Sequence, residues 1–144
     1  MATEFGQRVA RRLRDDPVIW LVTVGPDGAP APSPVWFHWD GHSVLIYSQP
    51  ETPKLRNIRL NPRVALHFDT EDRTDRGGHD GENVVIISGR AQVDPDSPPG
   101  DQHAGFISKY VESGRCAAWG VSIQELAREF SVAIRILPTG LRGS

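Results

Sequence analysis

Apolar and polar positions along this chain alternate mostly with a period of two, and only three or four short stretches read as helical. Over 4–14, Phe5, Val9 and Leu13 recur at i, i+4 and i+8 among arginines, which predicts an amphipathic helix ended by Asp15, Asp16 and Pro17. "VIWLVTV" (18–24) is short and β-branched, so it reads as a strand followed by a "GPDG" turn. A second strand over 30–39 carries prolines at 30, 32 and 34. Those prolines remove ladder donors and point to an edge, a bulge or a backbone that faces something other than a neighbouring strand. Asp40-Gly41 then separates two alternating runs and predicts a two-residue hairpin turn. Val35, Phe37 and Trp39 fall on one face, Trp36 and His38 on the other, and the return strand is 43–48.

The remaining pattern is of the same kind. Thr52 and Pro53 supply an N-cap and a proline at N1 for a helix reaching about Leu60, and Asn61-Pro62 stops it before the strand "RVALHF". Residues 69–83 hold six acids and two arginines with little apolar content, as expected of a mobile loop. "VVIISGRAQV" is a strand in which Gly89 marks a bulge or a close backbone approach. A helix follows over 101–111 with Phe106, Ile107 and Tyr110. Another over 121–129 opens with a Ser122/Glu125 capping box and a Val121/Leu126 staple, before the closing strand "FSVAIRIL". About six strands joined mostly by hairpins, with three or four short helices, predict a mainly β (α+β) domain. Its antiparallel sheet would curl into a small barrel with helices outside.

Composition narrows the function classes. The 144 residues make one domain, and 14 glycines plus 12 prolines are too many for a helical bundle. A net charge of -2 argues against a general nucleic-acid binder. Cys116 is the single cysteine, so no intrachain disulfide forms and a reducing, cytoplasmic location is expected. The charged N-terminus lacks the apolar core of a secretory signal, and no apolar run is long enough to span a bilayer. Cys116 beside Arg115 reads as structural or incidental.

One cluster stands out against the acidic background. Lys54, Arg56, Arg59 and Arg63 fall within ten positions, and Lys54 sits in the first turn of a helix, where a cation opposes the macrodipole. Either the cluster is a solvated helix face, or Lys54 with Asn57 and Arg56 holds a carboxylate or phosphate. Leu55 and Ile58 would pin the helix to the sheet. Four tryptophans are many for this length. Trp20 reads as core, whereas Trp36 and Trp119 could face a planar ligand, Trp119 alternatively covering an intersubunit seam. The five histidines form no metal-ligand spacing, and P-loop, dinucleotide and nucleophile-elbow motifs are missing. An enzyme with such side chains would depend on a cofactor for its chemistry.

"VIWLVTVGPDGAPAPSPVWFHWDGHSVLIYS", "PKLRNIRLNPRVALHF" and "VVIISGRAQV" together resemble the pyridoxamine 5'-phosphate oxidase-like split β-barrel proteins, and more closely the actinobacterial branch of F420-dependent enzymes. The resemblance covers roughly 5–142. It implies an FMN-binding-type split barrel, a homodimer with the cofactor at the subunit interface, and a flavin or deazaflavin whose phosphate meets basic and polar residues. Carried onto this chain, Lys54 and Asn57 match the phosphate site, with Thr52 and Arg56 beside them. Ser33, Pro34, Val35 and Trp36 would follow the ring, Tyr47 and Ser48 would end the adjacent strand, and Trp119 and Arg142 would reach across the dimer. The arginine-and-histidine substrate set of true pyridoxamine-phosphate oxidases is not matched, which argues against vitamin B6 oxidation. The branch implies coenzyme F420, with hydride passing from the reduced deazaflavin to an unsaturated small-molecule acceptor; ordering of the 69–83 loop could then gate the site. FMN is the alternative cofactor, and a flavin, deazaflavin or tetrapyrrole binding protein without turnover the alternative function. No residue presents itself as a catalytic acid.

Overall fold

The computed structural model describes residues 3–69 and 84–143. All but Asp69 of the expected 69–83 loop lies outside the described residues. Helix α1 (Glu4–Asp15) is capped by Thr3, whose hydroxyl accepts from Gly6 N–H at 2.9 Å. Seven strands follow with helices interspersed: β1 (Ile19–Val24), β2 (Pro30–Val35), β3 (His38–Trp39), β4 (Val44–Ser48), α2 (Pro53–Leu60), β5 (Arg63–His67) and β6 (Val85–Val93). A 3-10 turn (Gly100–Gln102), α3 (Ala104–Phe106), a π-helical turn (Ile107–Glu112), α4 (Arg115–Ala118) and α5 (Ile123–Glu129) lead to β7 (Val132–Gly143). The strands make one curled antiparallel sheet, a half-barrel, in the order β2-β1-β5-β6-β7-β4-β3. The main core lies inside the curl, where Ile19, Leu21, Phe37, Leu66, Ile134 and Ile136 are fully buried.

Local chemistry explains where the elements bend. β2 is an end strand, as its prolines require, and is hydrogen-bonded only to β1 among the described residues. The β6–β7 register shifts at Ser88/Gly89. A Cβ at Gly89 would lie 2.8 Å from Ile136 Cγ2 and 3.1 Å from the Leu137 oxygen, so the bulge depends on a missing side chain. Glu51 enters α2 at φ 66, a left-handed conformation unfavourable for a residue with a side chain. The Arg56 guanidinium donates to the Glu51 carbonyl and holds this turn.

Three expectations are corrected. The two-residue Asp40-Gly41 turn is a four-residue loop, because Trp39 pairs with Val44. Asp40 Oδ1 accepts from the His42 and Ser43 N–H groups, each at 2.7 Å, and this side-chain turn displaces the tighter hairpin. The helix over 101–111 is broken into a 3-10 turn, α3 and the π-helical turn. The strand over 30–39 divides at Trp36 and Phe37, which raises the strand count from about six to seven among the described residues.

That division has a long-range cause. The Tyr110 hydroxyl accepts the Phe37 N–H at 2.9 Å and lies 2.7 Å from the Pro17 carbonyl and 3.0 Å from the Phe37 carbonyl. It occupies backbone groups that a continuous strand would have offered to a neighbour. The Tyr110 ring, fully buried, stacks on Trp36 with centroids 4.3 Å apart and planes 5° from parallel. Beside it the Lys109 ammonium sits 3.5 Å from the centre of the Phe37 ring. Burial pushes the Lys109 pKa down to about 8, against the pull of Asp16 and Asp15. Tyr110→Phe keeps the ring and removes the tie, leaving a buried N–H without its acceptor. Chemical denaturation is expected to show a loss of about 1–3 kcal/mol; an unchanged midpoint would show that the hydroxyl is dispensable.

Candidate functional site

A cavity of about 280 Å³ opens between the sheet and the helical segment that precedes β7. On the sheet side it is lined by Pro34, Val35, Trp36 and Tyr47, and on the helical side by Gly100, Phe106, Trp119, Val121 and α5. Among the described residues, Lys54, from the first turn of α2, is the one charged residue in this lining. Trp36 is brought there by the strand division at Phe37, and Trp119 stands edge-on to it with centroids 6.2 Å apart. Trp119 is 66% exposed, which suits a side chain closing a rim rather than filling a core. α5 starts on the Ser122 hydroxyl, which accepts from Glu125 N–H at 3.1 Å, and turns Ile123, Leu126 and Ala127 toward the cavity, with Phe130 following the helix.

Lys54 is half-buried, and burial lowers its pKa below the usual lysine value. No acid among the described residues pairs with it. An unpaired cation at the edge of an apolar cleft is electrostatically incomplete, and an anionic ligand group would complete it. Elsewhere the cavity offers few polar groups. The Tyr47 hydroxyl is committed to the Pro98 carbonyl, and burial raises its pKa.

The sequence-predicted residues divide accordingly. Pro34, Val35, Trp36, Tyr47, Lys54 and Trp119 come together around the cavity. Ser33 lies next to Pro34 on β2, its hydroxyl buried and without a hydrogen-bond partner among the described residues. Ser48 is fully buried; its hydroxyl meets the Gln49 carbonyl at 2.8 Å and the Thr52 hydroxyl at 3.0 Å. Thr52 occupies the N-cap position of α2 without using its side chain as a cap. Asn57 is buried and donates to the Thr23 hydroxyl at 3.0 Å, which anchors α2 to β1 rather than bringing the amide to Lys54. Arg56 holds the Glu51 turn, and Arg59 and Arg63 are exposed. Arg142 is exposed on β7 opposite Ile86, away from the cavity lining. The helical wall was missed. Its signal was present in the apolar spacing of Ile123, Leu126, Ala127 and Phe130 at i, i+3, i+4 and i+7.

The family model of pyridoxamine 5'-phosphate oxidase matches residues 5–130. Among solved structures, an F420 reductase is 25% identical with a TM-score of 0.66, over 92% of this chain and 94% of that one. The heme storage protein HutZ from Vibrio cholerae is 20% identical with a TM-score of 0.66, over 99% and 95%. An FAD-binding protein from Mesorhizobium loti is 18% identical with a TM-score of 0.63, over 94% and 88%. The last two likenesses concern the fold alone. No metal-binding group of histidine, cysteine or acidic residues occurs among the described residues, and no helix among them is long and apolar enough to cross a membrane.

Two imidazoles fasten the helical wall to the sheet. His38 of β3 and His103 lie edge to face with centroids 5.0 Å apart. His103 Nδ1 accepts the Phe106 N–H at 3.1 Å, which protonation at that nitrogen would forbid. Gly105 permits the contact, since a Cβ there would fall 2.2 Å from His38 Nε2. Burial lowers the pKa of both rings; His103 and Lys109 lower that of His38 further, Arg135 acts in the same direction on both, and Asp40 opposes. Because the folded values lie below the ordinary 6.5, this contribution to stability is complete above 6.5 and declines as the pH falls through that value toward the folded pKa. His103→Asn retains a capping acceptor without the titration. Denaturation measured from pH 7.5 to 5 (roughly the histidine range) is expected to fall less steeply for this variant than for the parent. Parallel curves would dissociate the pair from acid sensitivity.

Proposed function

Since the chain belongs to the pyridoxamine 5'-phosphate oxidase family, we propose that its cavity takes a flavin or deazaflavin, and that the protein is an F420-dependent oxidoreductase. The observation that carries this reading is Lys54, unpaired among the described residues and half-buried at the edge of an apolar cleft beside Trp36. A ring cofactor with an acidic tail meets both demands: a flat apolar body for the Trp36 and Trp119 surfaces, and negative charge for the ammonium. The Ser33 hydroxyl, buried and unpartnered among the described residues, lies next to the cavity-lining Pro34 on β2. F420 is favoured over FMN by the similarity to an F420 reductase and by the resemblance of the sequence to the F420 branch.

When bound, the deazaflavin supplies hydride to an unsaturated organic acceptor. The chain's own part is to hold and shield it. Lys54 neutralises the tail, Trp36 supports the ring on a base made rigid by Tyr110, and the α5 wall with Trp119 excludes water. No side chain is assigned as a proton donor.

A second copy of the chain is part of the proposal. Leu137 and Leu141 are each about half exposed on the outer half of β7, at 47% and 51%, and Trp119 is more open still. Leu137 and Leu141, two exposed apolar side chains on one strand, are suited to burial against a symmetry-related copy, with Arg142 beside them.

The test is a parallel titration of the apo-protein with F420 and FMN, for the parent and Lys54→Ala. F420 is expected to bind more tightly than FMN, and the variant to lose at least tenfold, about 1.4 kcal/mol. Equal weak binding of both ligands to both proteins would remove the site. Saturable binding with no oxidation of reduced cofactor by any acceptor would turn the reading to a binding protein, and tight heme uptake would turn it to tetrapyrrole storage.

A further inference from the structure

The free edge of β2 has an unusual chemical character. Gly25 donates its N–H to the Ala29 carbonyl at 2.9 Å, so Ala29 faces β1. In an antiparallel ladder, residues two apart point their backbone groups the same way. Ala31, Ser33 and Val35 therefore turn their amides toward β1, while Pro30, Pro32 and Pro34, opposite Val24, Val22 and Trp20, turn theirs away. β2 ends the sheet. Its outer edge is thus a row of three carbonyl oxygens, about 6.6 Å apart, with no N–H between them. A further strand cannot pair there, because a ladder needs donors as well as acceptors. A ligand edge made of lone pairs meets the same repulsion, and one that carries N–H groups is received.

This edge runs into the cavity, which Pro34, Val35 and Trp36 line. We propose that the Pro34 end of the β2 edge makes the site selective for the reduced form of the ring cofactor, a claim that rests on the flavin or deazaflavin reading above. Reduction of a flavin by two electrons and two protons converts N1 and N5 from acceptors into N–H donors, and N3–H donates in both states. Reduction of a deazaflavin adds an N–H at N1 and a C–H at C5. In both rings the reduced edge gains donors and the oxidised edge keeps acceptors. Among the lining side chains of the described residues, Lys54 and the two indoles remain as donors once the Tyr47 hydroxyl is committed to Pro98. Lys54 is taken by the acidic tail in the reading above, and the comparison with Pro34→Ala separates the share of the β2 edge from that of the indoles.

The measurement is equilibrium binding of FMN, and in parallel of F420, each oxidised and after chemical reduction under anaerobic conditions. The reduced form is expected to bind about tenfold more tightly, which raises the midpoint potential of the bound cofactor by about 30 mV over the free one. Pro34→Ala restores an outward N–H at the cavity and is expected to reduce that preference at least threefold. Pro30→Ala makes the same change at the far end of the strand and is expected to leave it intact. Tighter binding of the oxidised form, or an equal preference in the parent and Pro34→Ala, overturns the inference while leaving the cofactor site standing. Failure of both cofactors to bind in either state overturns the cofactor reading and this inference together.

Discussion

The hydroxyl of Tyr110 is the point on which the arrangement depends. One buried oxygen, taking the Phe37 N–H and lying within reach of the Pro17 and Phe37 carbonyls, joins the helical segment to the entrance of β1 and to the break between β2 and β3. Satisfying those groups with a side chain lets the strand end at Val35 without stranding buried backbone polarity. Trp36 is freed from the ladder as a result, and the Tyr110 ring supports it from behind. Loss of this tie would let Trp36 and the wall that faces it move independently, and the cavity is the space between them.

Placement of charge follows the same logic. The interior of the cavity is apolar, and the one cation in its lining among the described residues holds a helix first-turn position that is unfavourable for a cation. Lys54 is partly desolvated and unpaired among the described residues. Other cations of the chain are accounted for differently. Arg135 meets Asp94 at 2.8 Å and Asp40 at 3.4 Å, Arg12 meets Asp16 at 2.7 Å, and Arg56 serves a strained turn. Lys109, buried over Phe37, is the other lysine held away from water, and it lies against the core rather than in the cavity lining.

Much of the fold was legible because it rests on local pattern. The alternation in β1, the proline-capped α2 and the Ser122 cap each need only neighbours in sequence, and each lies where the pattern puts it. The prolines of β2 left an edge, a bulge or an outward-facing backbone open, and among the described residues β2 is an end strand. The break at Trp36 was not legible, because its partner is 73 residues away and nothing local distinguishes Phe37 N–H from any other strand donor. The candidate site was half visible for a similar reason. Lys54 and Trp36 carried their own signals, whereas Asn57 has the same residue type whether it binds an anion or bonds to Thr23. The apolar face of α5 was readable, but a stripe facing a cavity has the same spacing as one facing a core.

The central claim is that an acidic ring ligand fills this cleft, with its charge on Lys54 and its body on Trp36. A crystal structure of the protein soaked with F420 tests it most directly. The account predicts an anionic oxygen within about 4 Å of Lys54 Nζ and the ring in contact with Trp36, between β2 and α5. A bound ligand held elsewhere, with Lys54 facing solvent and the cleft empty, would contradict it.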